Sequence, residues 1–212
     1  MSKDNIEEII SICHKNNILI MADEVYQNNV YKEGMKFESF RKVLNTMPNK
    51  YKNEVELLSM HSISKGILGE CGLRGGYFET HNLDPYASEQ LYKLKSIELC
   101  SNTIGQVGVA LMVDPPMKGV ESEMTVEKYE REKNAIFKGL KERAELLTST
   151  FNSMKNVTCT EIQGAMYAFP RLHLSKKAIK EAEKLKVQPC FFYCKQLIEE
   201  TGIMTVPGTR SA

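Results

Sequence analysis

The sequence predicts an α/β fold with a mainly parallel sheet, followed by a smaller α+β unit. Three observations carry this prediction. Two short apolar runs, "ILIMA" (Ile18–Ala22) and "VELLSM" (Val55–Met60), flank a stretch that contains a helical pattern; strand, crossover and strand in that order make a parallel pair. The prolines Pro115 and Pro116 interrupt the chain near its middle and mark a boundary. Beyond them a long amphipathic pattern leads into two strand-like segments and a last helix.

The elements follow in order. Asp4 and Glu7 form a D-x-x-E capping signal ahead of Ile6, Ile9, Ile10 and Cys13, whose spacing is helical. That helix should stop near Asn16–Asn17. Ile18–Ala22 is uninterrupted in its apolarity, as a strand buried on both faces would be. A short helix is expected over Phe40–Met47, the second strand over Val55–Met60 and a third over Arg74–Phe78. Helices are expected through "YASEQLYKLKSIEL" and "TIGQVGVALMV". Past the prolines, Val126, Tyr129, Ile136, Phe137, Leu140, Ala144 and Leu147 trace one face of a long helix. "NVTCTEI" and "AMYAFPRL" read as a strand pair joined around Gln163–Gly164. "FFYCKQLIEETG" reads as a helix that Gly202 ends, with Cys190 and Cys194 on its core face.

Composition excludes several classes. With 28 Lys and Arg against 27 Asp and Glu, the net charge is +1, so no overall field attracts nucleic acid or an anionic membrane. No apolar run reaches membrane-spanning length, and "MSKDNIEEII" is not a signal peptide. The six cysteines show no CxxC and the four histidines are scattered, which argues against a metal centre and for reduced thiols in a reducing compartment. The expected location is cytoplasmic, with a mitochondrial one left open. No GxxxxGK[ST] or GxGxxG occurs, so neither a P-loop nor a dinucleotide fingerprint is present.

The chemistry gathers at the strand ends. Ligands of open parallel sheets bind outside the carboxyl ends of the strands. Asp23 follows the first run, and Ser62, Ser64 and Lys65 follow the second, in "HSISKGILGECGLRGGY" (His61–Tyr77). A lysine amine is a nucleophile only when neutral, and each unit by which its pKa of about 10.4 falls corresponds to about 1.4 kcal/mol; desolvation and nearby positive charge both favour the neutral form. Its natural covalent use is capture of an aldehyde. Arg74 offers a fork of donors for a phosphate, with Ser62 and Ser64 adding hydroxyls. Asp23 adds a carboxylate and Tyr26 a phenol. Amine, phosphate clamp and carboxylate together match pyridoxal phosphate, whose ring nitrogen a carboxylate keeps protonated. Met166 and Tyr167 are read as core packing.

"ADEVY" with "HSISKGILGECGLRGGY" resembles the class I/II pyridoxal-phosphate-dependent aminotransferases of fold type I, and within them the alanine-aminotransferase branch. The likeness continues through "NTIGQVGVALMVDPP", "FNSMKNVTCTEIQGAMYAFPRL", "FFYCKQLIEETGI" and "TVPG". Lys65 and Arg74 stand one residue further apart than in the general family; the "GECG" turn that carries the extra residue is similar to the alanine branch. The resemblance implies that Lys65 forms the imine, Asp23 partners the pyridinium, Tyr26 donates to the ring oxygen, and Ser62 and Arg74 hold the phosphate. It implies amino transfer between L-alanine and 2-oxoglutarate, and a homodimer in the full-length form. It places residues 1–116 in the C-terminal portion of the cofactor-binding large domain, and 117–212 in the linking helix and part of the small domain. Segments that the family carries upstream and downstream have no counterpart here, and Arg210 comes too early to replace the family's carboxylate-binding arginine. The chain alone is therefore expected to be a weak transaminase or none; the alternatives are a non-catalytic remnant and a transaminase with another substrate.

Overall fold

A computed structural model of the chain describes residues 1–209; Arg210 lies outside them. The chain divides into two compact units, Met1–Leu146 with Ile162–Tyr167, and Leu147–Glu161 with the chain from Ala168 on.

In the first unit, α1 (Lys3–Lys15) buries Ile6 and Ile10. Its cap is Ser2, whose Oγ accepts from the Asn5 amide at 3.3 Å, rather than the expected Asp4. A serine hydroxyl just before the first turn already meets an orphan amide, and Asp4 instead places its charge favourably in that turn. The helix ends at Lys15 with Asn16 as cap and Asn17 left-handed at φ 52°.

Strand β1 (Ile20–Asp23) begins later than expected and alternates buried with exposed residues, so it is half-buried rather than covered on both faces. Helices α2 (Phe40–Thr46) and α3 (Asn49–Glu54) follow. The second was not expected; its polar sequence "NKYKNE" gives no apolar period to read, and it starts behind Pro48. Strand β2 (Leu57–Ser62) pairs parallel with β1, Ile20 opposite Leu57 and Asp23 opposite Met60. Ile6, Ile10, Ile20, Ala22, Val43, Leu44, Val55 and Leu57 form one buried cluster, with Cys13, Phe40, Met47 and Tyr51 packed against it. Thus α1 and α2 close one face of β1–β2.

Strand β3 (Gly76–His81) runs antiparallel to β2, Ser62 opposite Gly76, and the sheet order is β1-β2-β3. The connection between β2 and β3 holds only a 3₁₀ turn, Cys71–Leu73, and lacks the helix of a parallel crossover. Helices α4 (Pro85–Ile97) and α5 (Thr103–Val113) are capped by Asp84 and Asn102, which accept from the amides of Ala87 and Gly105. The long helix α6 spans Glu123–Ser153. Of its expected apolar face only Val126 and Ala144 are fully buried.

In the second unit the expected strand pair shrinks to β4 (Val157–Thr158) and β5 (Arg171–Leu172), antiparallel. The residues between them do not form a hairpin. Instead Tyr31 donates its amide to Gln163 O at 2.8 Å and Ala165 donates to Asn29 O at 2.8 Å, so the tip, which belongs to the first unit, spends its hydrogen bonds on the loop after β1. Helix α7 (Lys176–Lys184), capped by Ser175, was not expected; α8 (Pro189–Thr201) was, and it ends at Gly202 with φ 74°. No residue of α8 is fully buried, and Cys190 and Cys194 are only part-buried, so their face is not a core face. All six cysteines are free.

Candidate active site

The parallel register decides which residues share an edge. With Asp23 opposite Met60, β1 ends at Asp23 while β2 ends at Ser62, and the Glu24 amide donates to Met60 O at 2.9 Å, carrying the ladder one residue further. Asp23 and the Ser62–Lys65 segment therefore leave the sheet at the same carboxyl edge. Asp23 is exposed, and one of its oxygens, Oδ1, accepts from the Val25 amide at 3.2 Å, an Asx turn that aims the chain away from the sheet. Gln27 and Asn29 close the next turns onto the carbonyls of Glu24 and Tyr26.

Tyr26 is half-buried, and its Oη is buried without a hydrogen-bond partner among the described residues. Burial, then the neighbouring Tyr167 hydroxyl and the Asp23 carboxylate, push this phenol above the ordinary tyrosine range. The Tyr26 and Tyr167 rings meet edge to face, centroids 5.8 Å apart. Tyr167 is 64% exposed and Met166 is also exposed, so neither is the core residue expected.

Ser62 Oγ accepts from the Ser64 amide at 3.3 Å. Ile63 anchors the loop: it is buried, donates to Gly75 O at 3.2 Å and accepts from the Glu70 amide at 2.9 Å. Lys65 is exposed, and its side-chain amine forms no hydrogen bond or ion pair with the described residues. Its carbonyl accepts from the Gly69 amide at 3.2 Å. Gly66, at φ 71°, lies against the loop after β1: a Cβ there would stand 3.2 Å from Val25 O and 3.3 Å from Asn29 Oδ1. Arg74 is left-handed at φ 54° and spends one donor, Nη1, on Cys71 O at 2.9 Å. Asn102 ties this turn to the start of α5 by donating to Leu73 O at 3.2 Å and to Arg74 O at 3.4 Å.

A cleft of about 340 Å³ opens beside β1, and Asp23, Tyr26, Asn29 and Gly164 are among its lining. Ser62, Ser64, Lys65 and Arg74 do not line it. The topology thus joins the expected residues along one sheet edge, while the cleft takes in only the acid and the phenol.

Sequence reasoning missed His61 and Asn29. His61 Nδ1 is buried without a partner among the described residues, and its ring meets Tyr77 edge to face at 5.8 Å. Burial holds this imidazole below its ordinary value against the opposing pull of Asp23. Its place in phase with Leu57 on β2 was readable as an inward position. Nothing in "YQNNVY" distinguishes Asn29 from Asn28.

These residues fit pyridoxal phosphate. The phenol lacks an acceptor, Lys65 is an unpaired amine, Arg74 keeps most of its donors unspent, and Asp23 presents a carboxylate with one oxygen outside the backbone turn.

Comparisons with known proteins place the chain in a family. The family model described as aminotransferase class I and II matches residues 1–211. A probable mitochondrial alanine aminotransferase of Dictyostelium discoideum is 46% identical over 210 residues, which are 99% of this chain and 39% of that protein. Glutamate–glyoxylate aminotransferase 1 of Arabidopsis thaliana is 44% identical over 99% of this chain and 43% of its own length. Among solved structures, an Escherichia coli aminotransferase superposes with a TM-score of 0.70 at 19% identity, covering 96% of this chain and 44% of that one. The chain spans about two fifths of the length of the curated relatives it matches. The resemblance read from the lysine and arginine motif is borne out: the chain belongs to the class I and II aminotransferase family.

Proposed function

We propose that the chain carries the cofactor-capturing part of a pyridoxal-phosphate-dependent transaminase, which moves the amino group of L-alanine to 2-oxoglutarate. The observation that supports it most is the parallel β1–β2 register, which brings Asp23 and the Ser62–Lys65 segment to one carboxyl edge. In this reading the cofactor supplies an aldehyde and an electron-withdrawing ring. Lys65 Nζ would hold the aldehyde, and as a free amine it would take up the proton of the substrate Cα. Asp23 would keep the ring nitrogen protonated, and Tyr26 Oη would donate to the ring oxygen. Arg74 would grip the phosphate, with Ser62 and Ser64 adding hydroxyls. The full protein acts as a homodimer on small amino acids and 2-oxo acids, in the cytoplasm or the mitochondrion. Residues 1–116 and 117–212 are the cofactor-binding and small-domain portions.

The Arabidopsis relative's name favours one second reading, in which glyoxylate is the acceptor. A single-turnover assay separates the readings. The chain, loaded with pyridoxal phosphate and freed of excess, is given L-alanine, L-glutamate, L-aspartate or L-tyrosine, and after transfer it is challenged with 2-oxoglutarate or glyoxylate. Slow formation of pyruvate from alanine, as from a weak transaminase, with 2-oxoglutarate restoring the cofactor, is expected. Restoration by glyoxylate alone favours the second reading, and equal reaction of aspartate and tyrosine overturns the alanine assignment.

A further inference from the structure

Among the described residues Asn29 is the one fully buried polar side chain, 1% exposed, and its carboxamide orientation is dictated by its neighbours. Tyr31 Oη lies 2.6 Å from Ala165 O. A carbonyl only accepts, so the tyrosine hydroxyl must donate to it. Its lone pair is then free to accept from Asn29 Nδ2, 3.1 Å away. That leaves Oδ1 on the other side, where it has no hydrogen-bond partner among the described residues. What it faces is Gly66, whose missing Cβ would sit 3.3 Å from Oδ1 and 3.2 Å from Val25 O. Two acceptor oxygens thus crowd the place a side chain would take.

A buried acceptor without a full hydrogen bond is costly, and an apolar residue of similar shape would avoid the cost. Gly66 follows Lys65 directly, and Asn29 stands six residues after Asp23 on the loop that Asp23 begins. We propose that Asn29 is a positioning residue for Lys65: its oxygen, aimed by Tyr31 and Ala165, seats Gly66 in its left-handed conformation and so fixes the lysine backbone relative to Asp23. Gly69, which donates to Lys65 O at 3.2 Å, holds the same backbone from the other side. The inference rests on the cofactor reading for its purpose, not for its geometry.

The test compares the unmodified chain with Asn29→Ala and Tyr31→Phe. Tyr31→Phe removes the hydroxyl that aims the amide, and it serves as the milder variant should Asn29→Ala fold poorly. Amide hydrogen exchange needs no cofactor. The Gly69 and Glu70 amides, which close the turn after Lys65, are expected to exchange several-fold faster in Asn29→Ala and less so in Tyr31→Phe, while the Ile20 and Glu24 amides of the sheet are unchanged. In parallel, the share of borohydride-fixed pyridoxyl label found on Lys65 should fall in the same order. Uniform acceleration of all four amides would mean that Asn29 serves only global stability, and no change in Gly69 and Glu70 would equally overturn the proposal. If those two amides loosen but the unmodified chain shows no preference for Lys65, the positioning geometry stands and the cofactor reading falls.

Discussion

The two loops that carry the candidate site are held by different means. The loop after β1 springs from the best-packed part of the molecule, where α1 and α2 cover Ile20, Ala22 and Leu57 and where Leu44 is wholly excluded from solvent. The loop after β2 leads into β3, α4 and α5, which bury almost nothing: α4 has no buried residue, α5 only Gly105, and Ile97 is 77% exposed. Its order comes from Ile63, from backbone hydrogen bonds and from close glycine contacts. Side-chain burial supports the acid, and backbone contact supports the amine and the guanidinium.

Truncation on the packed flank should have the largest effect. Leu44→Ala is expected to cost about 2–5 kcal/mol in urea unfolding, whereas Ile97→Ala should stay within about 0.5 kcal/mol; equal losses would erase the contrast. Next come the glycines of the other flank. A Cβ on Gly75 would stand 2.5 Å from Gly105 O, a backbone atom, whereas one on Gly72 would meet nothing within 4 Å. Gly75→Ala should therefore cost about 1–3 kcal/mol by overpacking and Gly72→Ala close to nothing, measured by the same melts. Removing the Ser2 cap is smaller again, about 1 kcal/mol for Ser2→Ala, and it should weaken α1 without altering exchange of the Gly69 amide.

The smallest expected effect is on pH. Burial lowers the His61 pKa below its ordinary 6.5, so the unfolded chain binds a proton that the folded one refuses. This contribution is complete above 6.5 and is lost as pH falls through that value towards the folded pKa. Glu24 is shifted the other way: burial raises it above 4.5, against the Phe40 amide that donates to it at 2.9 Å and with help from Glu79. Its protonated form favours the fold below 4.5, and that advantage disappears as pH rises through the folded value. His61→Gln should flatten the stability profile between neutral pH and its acid limb, and Glu24→Gln should stabilise the chain at neutral pH. A steeper profile after His61→Gln would contradict the assignment.

Those same two flanks explain what was legible in the sequence. Apolar spacing located α1 and α6 and short apolar runs located β1 and β2, and the motif after β2 was readable because a lysine and an arginine stand among glycines. The antiparallel course of β3 was less visible, since it depends on the absence of a crossover helix rather than on any residue. Helix α3 escaped notice because its sequence is too polar to show a period, whereas Ala178, Ile179 and Ala182 of α7 stand at helical spacing and were readable. The tip at Gln163–Ala165 read as a hairpin, but its hydrogen bonds go to Asn29 and Tyr31, over a hundred residues away in sequence. Asn29 itself was invisible, because its role lies in an orientation imposed by those distant partners.

The central claim is that Lys65 is an aldehyde-capturing amine set at the same sheet edge as Asp23. It is tested most directly by incubating the chain with pyridoxal phosphate, reducing with borohydride and mapping the adduct by mass spectrometry. The account predicts a pyridoxyl group on Lys65 well ahead of every other lysine, lost in Lys65→Arg without reappearing elsewhere and diminished in Arg74→Ala. Label spread across surface lysines such as Lys138, and unaltered by either substitution, would contradict it.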